Sequence, residues 1–195
     1  MTTSRKKDTD KRKEAEKKKD TQQKTDTTRL RPGAAAYSTQ RVGVFVDVQN
    51  LFYSAKYQYN SKVDFSKLLK IAAGDRRLIR AIAYIVQTKD IDQSSFLNIL
   101  HQIGFEIKSK DLIQRPDGTA KGDWDMGIAI DTIQMVDRLD VVVLVSGDGD
   151  FVDLINMLKA RGAIAEVVSF PSNTSEELKK VSTVYIPLDR SILYG

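Results

Sequence analysis

Two short runs, Val42–Val46 (VGVFV) and Val141–Val145 (VVVLV), are apolar throughout, and each leads within three residues to an aspartate. A strand with one wet face alternates apolar and polar side chains, whereas a strand buried on both faces does not. Both runs therefore read as central strands of a sheet covered on each side. The first leads into Asp47-Val-Gln-Asn50 and the second into Ser146-Gly-Asp-Gly-Asp-Phe151. A third acidic segment, Lys121-Gly-Asp-Trp-Asp125, stands just before a helical pattern.

Between these runs, helix and strand patterns alternate. Residues 50–57 have helical apolar spacing, and Asp64 is placed to cap a short helix over 65–73 that stops at Gly74. Strands are expected at 78–87, 105–112, 163–170 and 184–188, and helices at 93–103, 124–138, 151–161 and 175–181. Arg115-Pro-Asp-Gly118 has the composition of a turn. Strands alternating with helices predict an α/β fold, a Rossmann-like three-layer α/β/α arrangement around a central, mostly parallel sheet.

In open sheets of this type ligands lie beyond the carboxyl ends of the strands, where strand order reverses. If the two apolar strands are neighbours, Asp47 and Asp148 meet at that point, and Asp125, in the first turn of a helix starting at the same edge, can join them. Two ionised carboxylates about 4 Å apart repel by roughly 4 kcal/mol at an effective dielectric near 20. Such a cluster calls for a shared proton or a cation, and oxygen-only ligands favour Mg²⁺ or Mn²⁺ over zinc. Magnesium held by carboxylates takes phosphate oxygens as its other ligands, which directs attention to phosphodiester chemistry. Taken singly, each acid also reads as a helix cap: Asp47 for the helix after it, Asp150 for the helix from Phe151, Asp123 for the helix holding Asp125.

Asp131 lies six residues beyond Asp125, about 120° round a helix and roughly 9 Å along it, so the two cannot share one ligand position. Its surroundings, GIAIDTIQMV, are apolar nearly all round, so Asp131 should be semi-buried, orienting the site from behind or bonded to a neighbouring loop. Asn50, Lys121 and Ser146 sit at the same edge and are the candidates for orienting a water or a phosphate.

Composition divides the chain. Residues 1–40 carry 12 Lys and Arg against 6 Asp and Glu and hardly a large apolar side chain, while residues 41–195 carry 19 against 20. The first segment cannot bury enough surface to offset its ordering entropy and is expected to be a disordered basic tail, a spacer or a salt-sensitive arm for nucleic-acid backbones. Residues 41–195 are expected to form the folded domain. With no run of about 18 apolar residues and no signal-peptide pattern, a cytoplasmic protein that does not cross a membrane is expected. The absence of cysteine excludes disulfides, thiol catalysis and Cys-ligated metals, and His101, the single histidine, sits in FLNILHQIG without a motif around it. A phosphoacceptor receiver domain would need an acidic pair near its first strand, and residues 41–46 contain no acid.

Asp47-x-x-Asn50, Lys121-Gly-Asp-Trp-Asp125 followed by Ile-Ala-Ile-Asp131, and Ser146-Gly-Asp-Gly-Asp-Phe151 together resemble the NYN domain of the PIN-like nuclease superfamily, with the LabA/DUF88 group the nearest in kind. The resemblance spans residues 41–188. It implies a divalent-metal site at Asp47, Asp125 and Asp148 with Asp150 beside them, and endoribonuclease-like hydrolysis of RNA. Members linked to regulation leave open a non-catalytic adaptor that binds RNA or a protein partner. The family's usual SGDSDF reads SGDGDF here, so Gly149 removes one hydroxyl and leaves the acids in place.

Overall fold

In the computed structural model, residues 39–88, 91–114 and 120–194 are described, with backbone alone at 113–114 and 120–121. The expected tail, apart from Thr39 and Gln40, and the expected turn at Arg115–Gly118 lie outside the described residues.

Strand β1 (Arg41–Asp47) enters helix α1 (Val48–Tyr59) without a loop, and α2 (Phe65–Ala73) follows after Asp64, whose carboxylate caps it by accepting the N–H groups of Ser66 and Lys67. Then come β2 (Arg77–Gln87), α3 (Ser94–Ile103), β3 (Glu106–Asp111), the two-residue strands β4 (Ile113–Gln114) and β5 (Ala120–Lys121), α4 (Asp125–Met135), β6 (Val141–Val145), α5 (Val152–Ala160), β7 (Ile164–Ser169), α6 (Glu176–Val181) and β8 (Val184–Pro187). The main sheet has the order β3-β2-β1-β6-β7-β8, and every pairing in it is parallel. The antiparallel pair β4–β5 is an addition that the sequence patterns did not announce. Helix α4 is shorter than the expected 124–138, because its last turn tightens into a 3₁₀ turn at Val136–Arg138.

The chain leaves β1 in one direction, building β2 and β3, and returns to build β6, β7 and β8 on the other side. Strand order therefore reverses between β1 and β6, which pair from Val42↔Val141 to Val46↔Val145. Both are fully buried over those five pairs, as their unbroken apolar character requires. One core packs α1, α2 and Leu100 of α3 against Val42, Val44, Val46, Val141, Val143 and Val145. The other packs Ile128 of α4 and Leu154, Ile155 and Leu158 of α5 against Phe45, Val142 and Leu144. These are the three layers of a Rossmann-like α/β/α fold. Among the described residues no helix is long and apolar enough to cross a membrane.

At the amino-terminal edge of the sheet, Arg76 forms a two-pronged ion pair with Glu166 on β7, at 2.8 and 3.0 Å, with side-chain exposures of 8% and 10%. The same guanidinium donates to the Ala72 and Ala73 carbonyls that end α2. Removing one member strands a buried charge, so Arg76→Ala should destabilise the protein by about 3–5 kcal/mol in urea unfolding. A loss below about 1 kcal/mol would show that the pair does not tie α2 to the sheet.

Candidate metal centre

Asp47 is the last residue of β1 and caps α1, its Oδ1 accepting the Asn50 N–H at 3.0 Å. Its Oδ2 accepts the Ser146 hydroxyl at 3.3 Å, and the Ser146 oxygen in turn accepts the Asp148 N–H at 3.2 Å. Asn50 closes the junction from the other side, its side-chain oxygen accepting the Gly147 N–H at 3.0 Å. The ends of β1 and β6 are thus laced together by one hydroxyl, one amide and one carboxylate. Gly147 is required here by space: a Cβ would stand 2.3 Å from the Asn173 carbonyl oxygen.

Asp148 begins the 3₁₀ turn Gly149–Phe151 that leads into α5, and its Oδ1 accepts the Asp150 N–H at 3.0 Å. Asp125 is the first residue of α4, whose N-cap, Trp124, makes no side-chain cap bond. Trp124 instead anchors the start of that helix. Its Nε1–H donates to the Ile85 carbonyl at 2.9 Å, its ring lies 5.3 Å from that of Tyr84, and Lys110 Nζ sits 4.6 Å from the ring centre. Gly127 lets the indole fold over the first turn, since a Cβ there would come within 2.5 Å of the ring.

The result is a group of three carboxylates. Asp125, Asp148 and Asp150 each offer an oxygen, and those oxygens lie within 4.8 Å of one another, the first two half-buried and Asp150 exposed. Burial pushes the Asp125 carboxyl up to about 6, and the charges of Asp47, Asp148, Asp123 and Asp150 add to the rise. Asp47, 8% exposed, is also raised, chiefly by burial, with the Asn50 N–H and Ser146 hydroxyl opposing and the charge of Asp148 adding. Among the described residues no Lys or Arg is ion-paired with Asp125, Asp148 or Asp150. An all-oxygen donor set in which the charges of Asp148 and Asp150 raise the proton affinity of Asp125 suits a hard divalent cation. Beside it, between α4 and α5, runs a groove of about 300 Å³ lined by Met126, Ala129, Ile133, Phe151, Leu154 and Met157 together with Asp125, Asp150 and Asp153.

Several sequence expectations change here. Asp47, expected beside the other three ligand candidates, is not among the oxygens that lie within 4.8 Å of one another, yet its charge is the largest acting on Asp125, and its carboxylate accepts the Asn50 N–H and the Ser146 hydroxyl. Ser146, expected at the substrate, is 1% exposed and engaged with Asp47 and Asp148, so burial removes it from a substrate's reach. Asn50, half-buried, uses its oxygen on Gly147. The side chain of Lys121 lies outside the described residues. Asp131, semi-buried as expected, bonds neither the acids nor a loop: it accepts the Tyr84 hydroxyl at 2.7 Å and Lys108 Nζ at 2.8 and 2.7 Å. Burial and the charge of Asp131 drive the Tyr84 phenol well above its ordinary range. Asp131 thereby braces Tyr84, on which Trp124 rests, two contacts away from Asp125. Neither Asp150 nor Asp123 provides the caps considered for them, because Asp148 takes the first and the second stays open. Trp124 and Gly127 are the residues that sequence reasoning missed. The signal was there in the chain's single tryptophan followed three residues on by a glycine inside a helix.

A Rossmann-like sheet with acids converging at its strand-order reversal defines the class. The chain belongs to the NYN domain family, whose model matches residues 41–189, and it is of the LabA type. It is 29% identical over 162 residues to the "Low amplitude and bright protein LabA" of Synechococcus elongatus, a match covering 79% of this chain and 87% of that protein. The crystal structure of a protein of unknown function from Vibrio parahaemolyticus is similar, with a TM-score of 0.75 and 34% identity, covering 85% of this chain and 100% of that one.

Asp125 holds its proton more tightly folded than unfolded, so folding takes up a proton between pH 3.8 and about 6. Asp125 should therefore contribute a loss of stability to the metal-free protein as pH rises through that window, and this contribution should persist above it. Asp125→Asn should remove this contribution, so that the variant gains stability relative to wild type as pH rises from 3.8 to about 6 and melts higher at pH 7, read from thermal melts in chelator. A slope unchanged in the variant contradicts the assignment.

Proposed function

We propose that this protein is a metal-dependent ribonuclease that hydrolyses RNA phosphodiester bonds at the acidic cluster. The observation that carries the reading is the mutual approach of Asp125, Asp148 and Asp150 at the strand-order reversal of an NYN domain. These three are the residues that would hold Mg²⁺ or Mn²⁺. Such an ion would supply Lewis-acid polarisation of a phosphoryl oxygen and stabilisation of the leaving oxygen.

The chain's own groups have separable tasks in this reading. Asp148 and Asp150 are set by one tight turn, so their carboxylates need little reorganisation to bind. Asp125, with its carboxyl near 6 before a cation arrives, gives up a proton close to neutral pH, which couples cation binding to pH. Asp47 adds negative charge from behind, while Ser146 and Asn50 fix the junction and act as positioning residues. RNA is the partner proposed, and the basic composition of residues 1–40 supports a sequence-independent contribution from that segment to backbone attraction. A cytoplasmic location belongs to the same reading.

A second reading, an adaptor of the same fold that binds RNA or a protein without turnover, is favoured by one observation. Residues 41–195 are near neutral, with 19 basic and 20 acidic side chains, where a nuclease cleft is served by an excess of positive charge.

Single-stranded RNA incubated with the protein and Mg²⁺ or Mn²⁺ should be cleaved. Cleavage should vanish in Asp148→Asn and fall on the order of 10–100-fold in Asp47→Asn, as seen when residues supporting metal ligands are altered. Cleavage that persists in Asp148→Asn defeats the proposal, and intact RNA alongside measurable binding moves the conclusion to the adaptor.

A further inference from the structure

Helix α1 turns an aromatic face outward. Leu51, Ser54 and Ala55 are buried beneath it, while Phe52, Tyr53 and Tyr57 stand 49%, 42% and 75% exposed. The rings form a continuous surface. Tyr53 lies nearly parallel to Tyr57, with centroids 5.8 Å apart and planes 11° apart, and Phe52 meets Tyr53 edge-on at 5.6 Å. Lys56 Nζ lies 5.7 Å from the Phe52 ring centre and is the only charged side chain in the helix. Residues 52, 53, 56 and 57 share one side of the helix, because residues three and four apart are neighbours there.

The position of this face matters as much as its chemistry. Asp47 caps helix α1, so Phe52 stands about 7 Å and Tyr57 about 15 Å along the helix axis from Asp47. Exposed large rings on a helix demand a partner or an explanation. Stacked rings accompanied by a cation and no acid are the features of surfaces that hold single-stranded nucleic acid, where bases stack on aromatic faces and a positive group meets the phosphates. A symmetric contact between two copies would instead bring two Lys56 side chains into one patch with no acid from α1 to answer them. Without a cation the three acids repel phosphate, and Lys56 supplies this face with a positive group.

We infer that Phe52, Tyr53, Lys56 and Tyr57 form a stacking platform for the bases of a single-stranded RNA whose backbone passes the acidic cluster. The inference rests on RNA being the partner and deepens that reading by placing the strand along α1. It is independent of whether the strand is cut.

The test titrates full-length protein into a short fluorescein-labelled single-stranded RNA, read by anisotropy, in an Asp148→Asn background so that the probe survives. Tyr57→Ser and Phe52→Ser should each weaken binding about tenfold, the effect of losing one stacked base. Lys56→Gln should weaken binding and reduce the salt dependence by about one phosphate contact. The ring effects should persist as salt rises, since stacking releases no counterions. Thermal midpoints of the variants should match the background, as expected for side chains this exposed. Equal affinity in both ring variants overturns the inference, as does an Asp148→Asn protein that binds no RNA. A dimer that the ring substitutions convert to monomer, with RNA affinity unchanged, assigns the face to self-association and also overturns it. Ring-dependent binding together with wild-type protein that leaves the RNA intact in Mg²⁺ or Mn²⁺ defeats the nuclease reading alone, whereas cleavage by the wild type with ring-independent binding defeats the platform alone.

Discussion

Mutual repulsion of carboxylates at the junction of β1 and β6 is the constraint around which this end of the molecule is arranged. Two such charges at about 4 Å oppose one another by roughly 4 kcal/mol at an effective dielectric near 20. The fold holds them close because the parallel pairing of β1 with β6 is buried over five residue pairs, and that pairing is fixed by two cores, one on each face. Specific donors then offset part of the repulsion. The Asn50 N–H and the Ser146 hydroxyl meet Asp47, and the Asp150 N–H meets Asp148. Asp125 receives no such donor among the described contacts, and its carboxyl is the one raised to about 6.

Each acid arrives on a different support. Asp148 and Asp150 ride on a turn that only Gly147 permits, against the Asn173 carbonyl. Asp125 depends on a chain of contacts running through Trp124 and Tyr84 to Asp131 and Lys108. That chain explains a buried acid within an otherwise apolar helix: Asp131 pairs with an edge-strand lysine and orients the phenol on which the tryptophan rests. Gly149 faces Ser175, whose Oγ would stand 3.1 Å from an added Cβ. The position is tight for any side chain in this chain.

The architecture was legible because its signals are local. Unbroken apolar runs mark central strands, and strand–helix alternation marks a parallel sheet, so β1, β2, β6 and the helices between them fall where the pattern puts them. The convergence of Asp125, Asp148 and Asp150 was legible because all three stand at one edge of that sheet. The direction in which each side chain turns was not. The partner that Asp47 finds at the junction is a serine 99 residues away, and whether Ser146 meets substrate depends on the burial that leaves it 1% exposed beside Asp47. The antiparallel pair β4–β5, two residues a side, is too short to carry any periodicity. The exposed rings of α1 have helical spacing in the sequence, and only the fold reveals that Phe52, Tyr53 and Tyr57 lie outside the buried stripe.

The central claim is that the acidic trio is a cation site, and its most direct test is a crystal soaked in Mn²⁺ and measured for anomalous scattering. The account predicts a manganese peak bounded by the carboxylates of Asp125, Asp148 and Asp150. Anomalous density elsewhere on the molecule, with none at this cluster, would contradict it.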